Sequence, residues 1–241
     1  MTLWSLFCFD EAMRASAIIV AAGSGSRLGA STPKAFIRIG ARTLLHYSFD
    51  AIKMVPAIIE AVVTVPAGME SVARNEARLA GLEIPLKITP GGIERQDSVR
   101  IALALTSAES EYVVIHDAAR PFASSTMFDR CLRAAVEQGA AIAAIPLADT
   151  LKRVESGAIT RTIPRLGLYQ AQTPQAFQRD LLKQAHRRAV ESRISATDDA
   201  ELVEQIGGRI RIVEGSPLNL KITTPADLAI AEALAPKPAN P

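Results

Sequence analysis

Short apolar runs rich in β-branched residues alternate with stretches of helical periodicity along most of this chain, and that alternation limits the fold more than any single motif does. Ala57 to Val65, Leu86 to Thr89, Tyr112 to Ile115 and Ala140 to Ile145 each read as a buried strand. Between them Thr43 to Met54, Met69 to Ala80, Asp97 to Leu105 and Ser125 to Gln138 carry helix patterns, with Gly81 and Gly139 placed where helices end. Strands that return through helices run parallel and are covered on both faces. The expected architecture is therefore α/β, a mostly parallel twisted sheet flanked by helices. Ligands of such sheets lie at the carboxyl ends of the strands, here in the loops after the strands at Ala17, Leu86 and Tyr112.

The first of these loops has the most telling chemistry. Ala17 to Ala22 is a short buried run that breaks into Gly23, Ser24, Gly25 and Ser26, with Arg27 and Lys34 following. Backbone amides in a glycine-rich turn face an anion without side chains in the way. A strand opening into such a loop, with two cations behind it, suits a polyphosphate. The pattern is not GxxxxGK[ST], since no Lys-Ser or Lys-Thr follows the glycines. Nor is it GxGxxG, because Leu28 stands where the third glycine belongs. A nucleoside triphosphate site of another type is the reading that remains.

Further segments add to it. In PGGIERQDSV, Gly91 and Gly92 expose backbone groups suited to the edge of a base, and Asp97 or Ser98 stands ready to cap the next helix. In VVIHDAARP, Asp117 ends a hydrophobic strand with Arg120 just beyond. Asp117 suits Mg²⁺ or a hydroxyl and Arg120 a phosphate, or the two form an ion pair that stiffens the loop. His116 reads as a structural histidine, far in sequence from His46 and His186. After Pro146 the pattern changes: Asp149 to Glu155 and Ala158 to Ile163 flank Ser156-Gly157, a hairpin too polar to bury itself, which leans on something else such as another subunit. Basic residues on it read as solvated surface, Arg165 less so than Arg161 because Pro164 and Gly167 hold the chain around it. Helices follow at Arg179 to Glu191, near Asp198 to Gln205 and after Pro225, with a strand at Ile210 to Val213 and a short strand, Leu220 to Thr223, holding Lys221.

Composition excludes other classes. The net charge of +2 comes from 27 basic and 25 acidic residues without long blocks of either sign, a poor footprint for nucleic acid. Cys8 and Cys131 lack any metal or disulfide spacing and read as reduced thiols of a cytoplasmic protein. No apolar run reaches the roughly 18 residues of a membrane span. The opening segment carries Asp10 and Glu11 and no basic stretch, unlike a signal peptide. Residues 1–16 read as a loose extension, 17–234 as one domain with an arm at about 147–166, and 235–241 as a Pro-rich tail. No GxSxG, HExxH or paired Cys/His set is present in the sequence. If the attacking group is a substrate phosphate, it is already ionised at pH 7 and needs no general base, and the protein's work reduces to positioning and charge neutralisation.

Taken together, AAGSGSRLG…PK, GG…R.DSV, HDAARP, the DT hairpin, QTPQ.F, TDDA and NLKIT resemble the 2-C-methyl-D-erythritol 4-phosphate cytidylyltransferases, in the same order over roughly residues 17 to 234. The resemblance implies a Rossmann-like nucleotidyltransferase with a β-arm that interlocks a homodimer. It implies transfer of CMP from CTP to a polyol phosphate, 2-C-methyl-D-erythritol 4-phosphate, giving the CDP-linked alcohol and pyrophosphate, with Mg²⁺ held mainly by the CTP phosphates. By motif position Arg27 and Lys34 would stabilise the transition state, and Arg165 and Lys221 would position the acceptor phosphate. Ala21, Ala22, Gly23, Gly25, Gly92 and Ser98 match the nucleotide-binding segments; Asp117, Ala118 and Arg120 match the ribose, metal and acceptor edge. Thr150 and Thr173 would complete the acceptor pocket, Thr150 and Arg165 reaching it from the neighbouring subunit. Ile93 departs from the family, which often has Asp there; the change alters base selection only if that side chain, not the backbone, meets cytosine. Ribitol 5-phosphate is the rival acceptor, and a nucleotide sensor without activity the rival function.

Overall fold

The computed structural model describes residues 13–23, 25, 28 and 32–235. Its strands and helices, in chain order, are β1 (Ala15–Val20), β2 (Arg38–Ile39), β3 (Arg42–Thr43), α1 (Leu44–Ile52), β4 (Ile58–Val65), α2 (Glu70–Leu79), β5 (Leu86–Pro90), α3 (Arg95–Ala104) and β6 (Tyr112–Asp117). They continue as α4 (Ser125–Gln138), β7 (Ala140–Pro146), β8 (Leu151–Glu155), β9 (Ala158–Ile163), β10 (Tyr169–Gln178), α5 (Arg179–Ser192), α6 (Asp199–Gln205), β11 (Arg211–Glu214) and α7 (Pro225–Leu234). Seven strands form one sheet in the order β11-β7-β10-β6-β1-β4-β5.

The apolar runs form central strands because both of their faces are covered. In β1, Ala17 and Ile19 pack toward α1, α2 and α4, whereas Ile18 packs toward α3 and α5. In β4, Val63 and Val62 divide the same way. This is the period-2 alternation of a strand in a doubly covered sheet. Helix ends follow local chemistry: Ser124 Oγ accepts from Met127 N–H at the start of α4, and Gly139 ends it at φ 87°, a left-handed position that glycine adopts without strain.

The structure corrects four readings of the sequence. β1 starts at Ala15, and Ser16 is fully buried, its hydroxyl bonded to Glu60 and Ser110, so an extension would end before these residues. A strand not foreseen, β10, runs antiparallel between β6 and β7. Helix α3 begins at Arg95, with Asp97 reaching back to the Glu94 N–H, rather than being capped by Asp97 or Ser98. Leu220 to Thr223 is not a strand; Ile222 N–H donates instead to Ala119 O, and the chain turns into α7 through a Thr224–Asp227 capping box with Pro225 in the first turn. The hairpin β8–β9 forms its own two-stranded ladder, rooted where Leu147 N–H donates to Leu168 O. Residues 1–12 and 236–241, most of the expected extension and tail, lie outside the described residues.

Candidate active site

The carboxyl ends of β1, β5 and β6 converge on a cleft of about 260 Å³. Nine of the residues singled out from sequence line it: Ala21, Ala22, Gly23 and Lys34 following β1, Gly92 and Ser98 following β5, Asp117 and Ala118 at the end of β6, and Lys221. Arg27 lies outside the described residues. Gly25 is set against Lys34, where a side chain would bring its Cβ within 2.8 Å of Lys34 Cβ, and its φ of +70° is a second reason for glycine.

The diglycine also serves a packing purpose that its sequence does not reveal. A Cβ on Gly91 would lie 2.2 Å from Ala22 Cβ, and one on Gly92 would lie 2.3 Å from Asp97 Cβ, so the pair lets the β5–α3 turn close onto the end of β1. Their amides are also spoken for: Gly91 N–H donates to Val65 O and Gly92 N–H to Ser98 Oγ. A base meeting this turn would have to be read by carbonyl oxygens, not by these N–H groups. Ile93 stands fully exposed at the lip of the cleft.

Asp117 is the electrostatic centre. Its Oδ1 accepts from Arg95 Nε at 2.8 Å and its Oδ2 from Lys221 Nζ at 2.6 Å. Burial alone would raise its pKa, but the two cations hold the carboxyl well below the usual range. The Asp117–Arg120 ion pair, the alternative reading of this segment, is not formed. Arg120 instead donates to Asn219 O at 2.7 Å and to Ala171 O at 3.3 Å. The other face of Arg95 donates from Nη1 to Asp199 Oδ2 at 2.7 Å, and the remaining oxygen of Asp199 meets His186 Nε2 at 3.0 Å. Against its burial, Asp199 is likewise held low by Arg95 and by the His186 hydrogen bond.

A second cavity of about 180 Å³ opens on the far side of Asp117 and Lys221, with Arg120 and Thr173 in its wall. Thr173 sits at the bulge of β10, where the ladder to β7 slips between Ala171 and Gln175 and the Thr173–Pro174 peptide is cis. Its hydroxyl accepts from Asp117 N–H at 3.1 Å and meets His116 Nδ1 at 3.0 Å, while His116 Nε2 meets Arg120 O at 3.1 Å. The row is self-consistent when the hydroxyl donates to Nδ1 and Nε2 carries the imidazole proton. His116 is thus structural, and burial pushes its pKa down to about 4. Asn219, fully buried, ties Lys221's segment to β10 by donating to Thr173 O at 2.8 Å and Gln172 Oε1 at 3.1 Å.

Thr150 and Arg165 are not brought to either cavity. Both are exposed at the base of the arm, where Arg165 bonds Ala148 O. Reasoning from sequence missed the roles of Arg95, His186, Asp199, Asn219 and Gln172, because most of the contacts that reveal them join distant parts of the chain. The adjacent acids Asp198-Asp199 were the available signal. Asp199 opens α6 without a base on its own helix, and an acid that is then buried calls for a distant cation. Among the described residues no group of three His, Cys, Asp or Glu is arranged to hold a metal ion.

Comparisons with known proteins bear on the family and the fold. The model of the family described as "IspD: 2-C-methyl-D-erythritol 4-phosphate cytidylyltransferase" matches residues 15–236. The 2-C-methyl-D-erythritol 4-phosphate cytidylyltransferase of Deinococcus radiodurans is 45% identical over 221 residues, 92% of this chain and 89% of that protein. The protein of the same name from Syntrophus aciditrophicus is 42% identical, over 92% of this chain and 95% of that one. The crystal structure of the Thermus thermophilus protein of that name superposes with a TM-score of 0.78 at 37% identity, covering 92% of this chain and 98% of that one.

Proposed function

Since the chain belongs to the 2-C-methyl-D-erythritol 4-phosphate cytidylyltransferase family, we propose the following account of how its residues serve that family's reaction. The protein is a cytidylyltransferase that transfers CMP from CTP to 2-C-methyl-D-erythritol 4-phosphate, releasing pyrophosphate. Ribitol 5-phosphate as acceptor finds no support among these relatives. The observation that carries the account is the placing of Lys34, the diglycine turn, Asp117 and Lys221 around one cleft, with a second cavity meeting it at Arg95, Asp117 and Lys221.

CTP occupies the first cleft, its triphosphate toward the β1 loop and Lys34. The 4-amino group of cytosine is a donor, and carbonyl oxygens of the Gly91-Gly92 turn are suited to accept from it; uracil presents an oxygen there and would be repelled. The acceptor phosphate enters from the Lys221 side. One of its oxygens attacks the α-phosphorus in line, a P–O bond forms, and the bond to the bridging oxygen of pyrophosphate breaks. Lys34 neutralises charge that builds on the α-phosphate and the leaving group, and Arg27 is proposed to act beside it. Asp117 fixes the Lys221 ammonium and stays ionised throughout, so it serves as an anchor and not as a base.

Mg²⁺, which the family resemblance implies, has no matching protein donor set among the described residues. Both oxygens of Asp117 are already committed to cations, at 2.8 and 2.6 Å. We propose that it arrives on the triphosphate as part of the substrate, as a hard cation that keeps phosphate and water ligands does. A homodimer is proposed through the arm, because Val154 and Ile159 on the hairpin and Leu166 at its base are apolar and exposed. Thr150 and Arg165 would reach the partner's acceptor pocket this way. No described helix is long and apolar enough to cross a membrane. A cytoplasmic place, where a nucleoside triphosphate is at hand, is proposed with the function. Pyrophosphate release with CTP tests the reading: strong turnover with methylerythritol phosphate is expected and little with ribitol 5-phosphate, while the reverse order would overturn the acceptor assignment.

A further inference from the structure

The TDDA segment has chemistry that the reaction above does not use. From Lys221 to His186 the side chains form one unbroken row: Lys221 on Asp117, Asp117 on Arg95 and Arg95 on Asp199, alternating in charge, and then Asp199 on the His186 imidazole. Asp117 and Asp199 are almost wholly inaccessible, at 6% and 1% exposure; Arg95, Asp117 and Lys221 line both cavities, and Asp199 and His186 lie behind them. A guanidinium bridging two carboxylates is held by both of its edges. Remove the rear carboxylate and the fork can turn about its remaining contact, while a buried positive charge loses half of its compensation.

We infer that Asp199 is a positioning residue for the acceptor side of the site, acting through Arg95 on Asp117 and so on the Lys221 ammonium. The inference rests on the cytidylyltransferase reading above. A second set of contacts makes the effect directional. Gln96 clamps the 194–196 stretch independently, its Nε2 donating to Ile194 O at 3.1 Å and its Oε1 accepting from Ala196 N–H at 2.9 Å. Ser195 Oγ adds a bond to Glu94 Oε2 at 3.3 Å. The start of α3, and with it the diglycine turn on the nucleotide side, therefore keeps its place when Asp199 loses its charge. What loosens is the Arg95 side chain and the Asp117–Lys221 pair beyond it.

The test is steady-state kinetics of Asp199→Asn, an isosteric change, with CTP and methylerythritol phosphate each varied at saturating partner. The acceptor KM is expected to rise tenfold or more while the CTP KM stays within threefold of wild type. A purely structural role would lower the active fraction, and with it kcat, leaving both KM values in place. That result, or an equal rise in both KM values, overturns the proposal. Should Asp199→Asn fail to fold, His186→Asn, which withdraws only the Nε2 contact, carries the test: an acceptor KM raised twofold or more with CTP unaffected supports it, and two unchanged KM values overturn it. Wild-type enzyme silent with both substrates points to the functional reading itself and takes this inference with it, whereas active wild type beside an unaltered Asp199→Asn acceptor KM removes this inference alone.

Discussion

Lys34 and Thr173 show two different kinds of functional residue. Lys34 lines the cleft, and in the proposed mechanism it meets charge that appears as the α-phosphate reacts. An interaction made mainly in the transition state changes kcat more than binding. Lys34→Ala is therefore expected to lower kcat at least tenfold with CTP affinity nearly intact, measured by pyrophosphate release and nucleotide titration; an unchanged kcat would remove Lys34 from the mechanism. Thr173 is committed inside the protein, between Asp117 N–H and His116 Nδ1. Thr173→Val would strand both buried groups, at a cost of about 2–4 kcal/mol, whereas Thr173→Ser keeps the hydroxyl and loses about 1 kcal/mol. Urea denaturation of the two variants reads the difference. Lys34 was visible in sequence because it follows its own loop closely. The linkage of Arg95 to Asp199 was not, because 104 positions separate them and only the folded sheet brings them together.

At the scale of elements, the arm and the central sheet obey different rules. β8 pairs only with β9, and nearly all of the hairpin is exposed. A two-stranded hairpin alone is marginal in water, so its apolar residues point to a partner surface. Replacing Leu151 through Ile163 with a short Gly-Ser turn is expected to leave the main sheet folded, shift the protein to monomer in sedimentation velocity and abolish turnover. A dimer that survives this deletion would place the interface elsewhere. The parallel strands were legible because burial on both faces demands continuous apolar runs. β10 escaped notice for the opposite reason. Gln172 and Gln175 are buried yet polar, their side chains bonded to Ser216, Asn219 and Asp198, and Pro174 falls where a regular strand would need an amide. The Leu220 to Thr223 segment deceived the other way: it is apolar enough for a strand but passes over the turn after β6, where Ala119 O takes its amide.

For the molecule as a whole, the buried titrating groups favour the same side of neutrality. His116 is held neutral, with its pKa down to about 4, so an unfolded chain takes up a proton near pH 6.5 that the native chain refuses. That stability is fully present above pH 6.5 and is lost as the pH falls toward 4. Asp117 and Asp199, both depressed, contribute stability above about pH 4 and lose it only below that value. The expected result is a decline in unfolding free energy of about 2 kcal/mol between pH 7 and pH 5 from His116 alone, with a steeper fall in stronger acid. Urea titrations at these two pH values check it, and a His116→Asn variant that stays folded should flatten the first part of the slope.

The reversed strand has a last consequence, seen best as a half-closed zipper. Gln175 to Gln178 of β10 are fastened to β6, and Gln175 to Phe177 to β7 as well, but Tyr169 to Ala171 are fastened to β7 alone. The unfastened margin is where Arg120 reaches the Ala171 carbonyl and the second cavity begins. The proposed acceptor side is thus a gap left in a sheet rather than a hollow carved from a core. A polar substrate entering it meets main-chain groups that a neighbouring strand would otherwise have used.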